Sequence, residues 1–560
     1  MRRAIPHART AARGALTRRW GLALVAALVA GLAATAPPPA RAGAATGWVT
    51  AWTSPTDLAM TATYNSTIRD TATVPIAGTR VALTFSNAWS ATPTTFAAVT
   101  VAQDLRGADV VAGTFLPVTF HGQRTVTIPA YGRVTSDPVV MTVHAGETLA
   151  VSLAVAGWAT VSVHYCCVGN VDTWATANGV GNVTSEPTAR YFSTTLTGPF
   201  IRFLSGIAVA GTPARGTIVA FGDSITDGYG YENRGYSWVD ALQQRLDRLP
   251  ASQQLAVVNE GISGNTLTVF PPRTTFAFDS GGLPGVTRFA TDALSWPGVR
   301  AILVLLGTND IWFGAGGLTS HPIPPYGTAP AIEAGYRSLI AEAHARGVPI
   351  YALTLLPRAT STKKDHDIAE YWGPSEQAVL SAVNAWLLSG RSGFSGVIDA
   401  ASVMGNVYDG SCQPTQPYAP YFNPDHLHPN VAGETALANT IPTSLLGTVA
   451  APLAPALASA TPTPGCRAAQ SATAVLAAST PTTTTTTTTV PVTTTTIAVS
   501  LARRARPYLG GALVALLVIA AALALIAQRR VARRRIARRR MARPDTYPRV
   551  APPRDPRRSR

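Results

Sequence analysis

The chain has 560 residues, 13% of them charged, and a formal net charge of +16. That length exceeds one ordinary hydrophobic core and predicts two or three domains. The excess of positive charge sits at the ends: residues 43–502 hold 21 Lys and Arg against 27 Asp and Glu, a balance of −6, which excludes a nucleic-acid reading for the body of the protein.

Residues 1–19 carry six arginines and no acid, an apolar run over 20–36 follows, and Ala40-Arg41-Ala42 supplies a small-x-small cleavage site. This layout predicts a secretory signal peptide over residues 1–42. Residues 43–210 read as an all-β sandwich domain. Short alternating runs recur at 48–53, 80–86, 98–102, 125–128, 139–143, 148–155 and 160–164, punctuated by Gly, Pro, Asn and Asp.

The pattern changes at 211–216. Over residues 211–447 apolar strand runs at 218–221, 255–259, 301–306, 349–355 and 396–399 alternate with helical patterns at 237–249, 331–346, 375–388 and 430–439. Gly347 is placed to end the second helix. This order predicts a parallel sheet with right-handed crossovers and helices on both faces.

Residues 448–506 are rich in Ala, Pro and Thr, with eight consecutive threonines at 482–489. They read as an extended stalk suited to O-glycosylation. The uncharged apolar stretch 508–527 predicts a transmembrane helix spanning 507–528. Residues 529–560 hold fourteen arginines against Asp545 and Asp555, so this tail is expected to be cytoplasmic and everything between signal and anchor extracellular. Export permits disulfides among Cys166, Cys167, Cys412 and Cys466, and the sequence does not choose among their three pairings.

The chemistry concentrates after the strands of the second domain. Ser224, in Gly222-Asp223-Ser224, follows the first strand and is a nucleophile candidate. Gly264 follows the second, where a glycine lets a backbone N–H approach a ligand. Asn309, in Gly307-Thr308-Asn309-Asp310, follows the third and offers an amide donor to an oxyanion. Asp425-His426-Leu427-His428 follows the last strand. His428 is the base candidate, with Asp425 three residues earlier to orient it. His426 is an alternative base, and the His-x-His pair is a rival metal reading that lacks further ligands. Each piece alone is an ordinary turn or capping residue. Four pieces after strands of one sheet point to a single site.

As a set these residues resemble the SGNH hydrolases, the GDSL-type esterases, whose four blocks carry Ser, Gly, Asn and His. The match covers about residues 215–445. The resemblance implies a flavodoxin-like three-layer α/β/α fold and no metal or organic cofactor. It makes Ser224 the nucleophile, His428 and Asp425 its base and orienting acid, and the N–H groups of Ser224 and Gly264 with the Asn309 amide the oxyanion hole. The β-domain followed by GDSITDG also resembles secreted actinobacterial GDSL esterases. No Gly-x-Ser-x-Gly elbow, P-loop or dinucleotide fingerprint competes with this reading.

The expectation is therefore a membrane-anchored, extracellular serine esterase acting on an ester substrate, an acylated carbohydrate or a lipid, with no nucleic-acid partner. Trp312, Phe313, Tyr326, Tyr371 and Trp372, in segments 311–330 and 358–373, are expected either to line the substrate pockets or to pack their loops down. The alternatives are an acyltransferase using the same serine, and a surface carbohydrate-binding or adhesion protein whose hydrolase domain is inactive. The β-domain is either a binding module or a structural cap.

Overall fold

In the strand Val139–Val143, buried Val139, Met141 and Val143 alternate with exposed Val140 and Thr142, the pattern of an antiparallel strand with one wet face. A computed structural model describes residues 47–165, 172–198, 200–230, 235–268, 281–314, 327–358, 372–408 and 414–453, all within one compact unit.

The N-terminal region is β-rich. Its strands form three antiparallel sheets. One runs Trp48–Thr53, Leu204–Ala210, Gly78–Ser86, Val139–Val143. A second is built on Thr67–Val74, Glu147–Ala156 and Thr94–Arg106. The third joins Phe200–Arg202, Trp158–Tyr165 and Leu58–Tyr64. Leu83, Phe85, Val101, Leu153 and Val163, drawn from all three, share one apolar core.

The second region holds a five-stranded parallel sheet in the order Ala256–Gly261, Thr217–Gly222, Val299–Leu305, Ile350–Leu353, Gly396–Ile398. In chain order this is 2-1-3-4-5, the flavodoxin-like arrangement, whose order reverses between the first and third strands. Every residue of Thr217–Gly222 and Ile350–Leu353 is buried, as expected of parallel strands covered on both faces. The helices fall into two groups. Trp238–Leu246 packs on Val431–Thr440, and Ala329–Ala345 packs on Gly285–Asp292 and Pro374–Leu388. Gly347 ends its helix with φ +68°, and the N–H of Val348 returns to Ala343 O at 3.0 Å.

The packed chain continues past residue 447. Ala450 and Leu453 belong to the core, and the buried Arg245 donates to the carbonyls of Ala438, Ile441 and Ala450. Among the described residues no helix is long and apolar enough to cross a membrane. The segments expected to be a signal peptide (1–42), most of a stalk (448–506), a transmembrane helix (507–528) and a cytoplasmic tail (529–560), together with all four cysteines, lie outside the described residues.

Candidate active site

Strand Thr217–Gly222 ends where the short helix Ser224–Asp227 begins. Asp223 caps that helix, its side chain accepting from the N–H of Ile225 at 3.1 Å. Burial pushes the Asp223 carboxyl up to about 7, with nearby Asp310 adding to the effect against the opposing Ile225 N–H and Arg288. In register, Gly222 faces Gly261 on one side and Leu305 on the other. The residues that follow these three strands, Ser224, Gly264 and Asn309, therefore emerge along one edge, at the switch point of the sheet.

The loop after the last strand closes on itself. Asn423 donates to His428 O from its backbone N–H at 2.8 Å and from its side chain at 3.1 Å. Asp425 Oδ1 accepts the N–H groups of Leu427 and His428, each at 3.0 Å. Asp425 Oδ2 lies 2.7 Å from His428 Nδ1, and His428 Nε2 lies 2.8 Å from Ser224 Oγ. Burial opposes ionisation of Asp425. The hydrogen bond and charge of His428, joined by the two N–H groups, outweigh it and hold the carboxyl below its ordinary value. His428 is buried and Tyr229 packs on its ring at 4.6 Å between centroids, whereas His426 is exposed at φ +53°. Of the two histidines in the motif, His428 reaches Ser224.

Asn309 is the second residue of the helix Thr308–Gly314, and its Nδ2 donates to Asn265 O at 2.8 Å. An amide nitrogen carries two protons, so one remains for a ligand. The next residue, Asp310, accepts from Leu267 N at 2.6 Å and Thr268 N at 2.7 Å. The third-strand loop thus holds the second-strand loop at two points. Gly264 immediately precedes the first of them, at φ +77°, a backbone conformation that a side chain would strain.

Sequence reasoning missed the groups that brace this edge. Buried Arg288 donates to Asn265 Oδ1 at 3.0 Å, Glu260 O at 2.9 Å and Gly222 O at 2.9 Å. It ties the ends of two strands to the Gly264 loop. Arg358 is buried between the rings of Trp312 and Trp372 at 5.3 and 5.0 Å. Burial lowers its pKa to about 10 against the opposing charge of Asp425. Neither arginine stands in a local motif. Trp312, Phe313 and Trp372 are buried in the core, while Tyr326 and Tyr371 lie outside the described residues. Among the described residues no group of three or more His, Cys, Asp and Glu could hold a metal ion. A cavity of about 210 Å³ lies at the seam between the two regions, lined by Trp52, His164, Asp227, Asp240 and Gln243 among others. Ser224, Asn309 and His428 do not line it.

Comparison with known proteins gives a match to the GDSL-like lipase/acylhydrolase family over residues 220–436. No curated relative matches the chain. Similar solved structures include a lipase/acylhydrolase from Enterococcus faecalis, 21% identical over 43% of this chain and 99% of its own, with a TM-score of 0.28. An acetylxylan esterase from Geobacillus stearothermophilus is 19% identical over 40% of this chain and 90% of its own, with a TM-score of 0.27. The matched residues 220–436 run from the strand before Ser224 to the helix after His428 and so enclose the whole constellation. Residues 220–436 thus form a GDSL-like lipase/acylhydrolase domain, which supports a serine ester hydrolase.

Proposed function

We propose that the protein is a cell-surface esterase that removes short acyl groups, acetyl foremost, from polysaccharide or envelope glycans through an acyl-enzyme on Ser224. The observation that carries the chemistry is the continuous chain Asp425–His428–Ser224, at 2.7 and 2.8 Å. In this reading His428 Nε2 takes the Ser224 proton as Oγ attacks the ester carbonyl. Asp425 holds the ring and stabilises the imidazolium. The tetrahedral oxyanion lies against the N–H groups of Ser224 and Gly264 and the free proton of the Asn309 amide. His428 protonates the leaving alcohol, and water then releases the acyl group by the same steps in reverse.

The surface location rests on the amino-acid pattern: a signal peptide, a threonine-rich stalk, an apolar segment and an arginine-rich tail. An enzyme held outside on a stalk meets glycans and lipids of the envelope. The test is hydrolysis of p-nitrophenyl acetate, butyrate and octanoate by the intact protein beside Ser224→Ala. Loss of all turnover in the variant, with acetate hydrolysed fastest by the parent, is expected. Activity retained by Ser224→Ala removes the mechanism, and a preference for octanoate removes the short-acyl assignment.

A further inference from the structure

A buried chain of polar groups runs from the β-rich region into the loop that carries Gly264. His164, in the strand Trp158–Tyr165, is buried. Its Nε2 lies 3.0 Å from Asp227 Oδ1. Its Nδ1 lies 3.6 Å from Asp57 Oδ2, too long for a hydrogen bond but close enough for a charge contact. Asp57 is itself fixed by the N–H of Tyr165, at 3.1 Å from its Oδ1. Asp227 is the last residue of the helix that starts at Ser224. Its Oδ2 accepts both the N–H of Ser263 at 2.9 Å and the Ser263 hydroxyl at 2.6 Å. Ser263 is peptide-bonded to Gly264.

We infer that His164 is a positioning residue for the oxyanion hole, supplied by the β-rich region: it fixes Asp227, which fixes Ser263 and with it the N–H of Gly264. This rests on the proposed role of Gly264 in the esterase reaction. Burial alone would strip the proton from His164. The charge and hydrogen bond of Asp227, followed by Asp57 and Glu260, outweigh burial and raise its pKa to about 9. His164 therefore donates from Nε2 at neutral pH. An ion pair that only fastened two domains would end at Asp227. This one continues through the second Asp227 oxygen to the residue preceding the oxyanion donor.

The test uses the intact protein, steady-state hydrolysis of p-nitrophenyl acetate, and inhibition by phenylboronic acid, which forms a tetrahedral adduct on a reactive serine. Oxyanion contacts act in the transition state, so His164→Ala should lower kcat about tenfold or more with KM held within about twofold. Boronic acid binding should weaken in proportion. His164→Gln, whose amide can donate to Asp227 from nearly the same place, should recover most of the loss. A folded His164→Ala with kcat within about twofold of the parent overturns the inference. So does a rise in KM alone, or a His164→Gln no better than alanine. Should His164→Ala fail to fold, Ser263→Ala carries the test: lower kcat at constant KM supports the relay, and unchanged kcat overturns it. Ser224→Ala separates the two levels. If it is inactive while the His164 and Ser263 variants are normal, only the relay fails; if it is active, the esterase mechanism fails with it.

Discussion

Asn309 has two amide protons and Asn265 O takes one of them. Replacing it by alanine removes the proton that the proposed mechanism gives to the oxyanion and also the clasp between two loops. The first loss matters more. One oxyanion donor is worth about 3 kcal/mol of barrier, whereas a single hydrogen bond adds about 1 kcal/mol to stability. Asn309→Ala should therefore lower kcat roughly a hundredfold or more while leaving the thermal midpoint within a few degrees. Steady-state kinetics beside a melting curve checks both, and an unchanged kcat removes Asn309 from the mechanism. A second residue-level prediction concerns Glu434. It is buried, accepts the N–H of Trp238 on Oε2 at 2.8 Å, and leaves Oε1 without a partner. Burial, reinforced by Asp240, raises its pKa well above the ordinary value. The unfolded chain ionises this group near pH 4.3 while the folded protein keeps its proton, so stability falls as pH rises above about 4.3. Glu434→Gln should relieve that loss, and melting curves should show its advantage larger at pH 8 than at pH 4. An advantage that does not grow with pH would mean the carboxyl is ionised in the fold. Residues such as these show where the sequence stops being informative. Ser224, Gly264, Asn309 and the Asp425–His428 pair announce themselves because each follows a strand in a short motif. Arg288 and His164 do not, because their partners are distant: the His164 contact to Asp227 spans 63 positions.

At the scale of elements, the strand ends are packed closely enough to be tested by a single methyl group. A Cβ on Gly261 would lie 2.3 Å from the backbone nitrogen of Asp227 and 2.7 Å from its Cα. Backbone cannot swing aside as a side-chain tip can. Gly261→Ala should push the helix Ser224–Asp227 off its strand, costing about 1–3 kcal/mol of stability and lowering kcat together with it. A variant with parental melting and turnover would mean that the two segments separate freely. The five parallel strands were legible because each is a short apolar run, and Val139–Val143 was legible for its alternation. The strand Thr67–Val74 escaped because it places Arg69 and Asp70 in its buried middle. Arg69 is satisfied there by Ser152 Oγ at 2.8 Å, Ala108 O at 2.5 Å and Glu186 O at 2.7 Å, a network that no local pattern reveals. The helix Gly285–Asp292 escaped for a different reason: it begins at Pro284-Gly285 with no side-chain cap.

At the scale of the molecule, the β-rich region and the hydrolase domain share interior. Ala256, on the parallel sheet, belongs to the apolar core of the β-rich region. Trp296 lies so close over Gly206 that a Cβ there would stand 2.5 Å from its ring. The N–H of Thr50 donates to Pro297 O at 3.1 Å, and Thr217 Oγ1 donates to Thr50 O at 2.8 Å. Expressed alone, residues 211–453 should therefore aggregate, or melt well below the intact protein with kcat reduced at least about tenfold. Size-exclusion chromatography and the acetate assay decide this, and a monomeric fragment of full activity would restore the view of the β-rich region as an independent module. The sequence separated the two regions by composition near residue 211. It had no means of showing that they are finished by each other's side chains.

The Thr50–Pro297 contact also has a consequence in time. Its partners are 247 positions apart, and a ribosome adding about 5–20 residues per second needs about 10–50 s to make that length. For that interval the first strand exists without the surface it will close against, and a chain handled from its N-terminus cannot complete one half before beginning the other. Newborn chains should stay sensitive to protease at the Trp48–Thr53 strand until synthesis has passed Pro297, however quickly the rest of the β-rich region collapses.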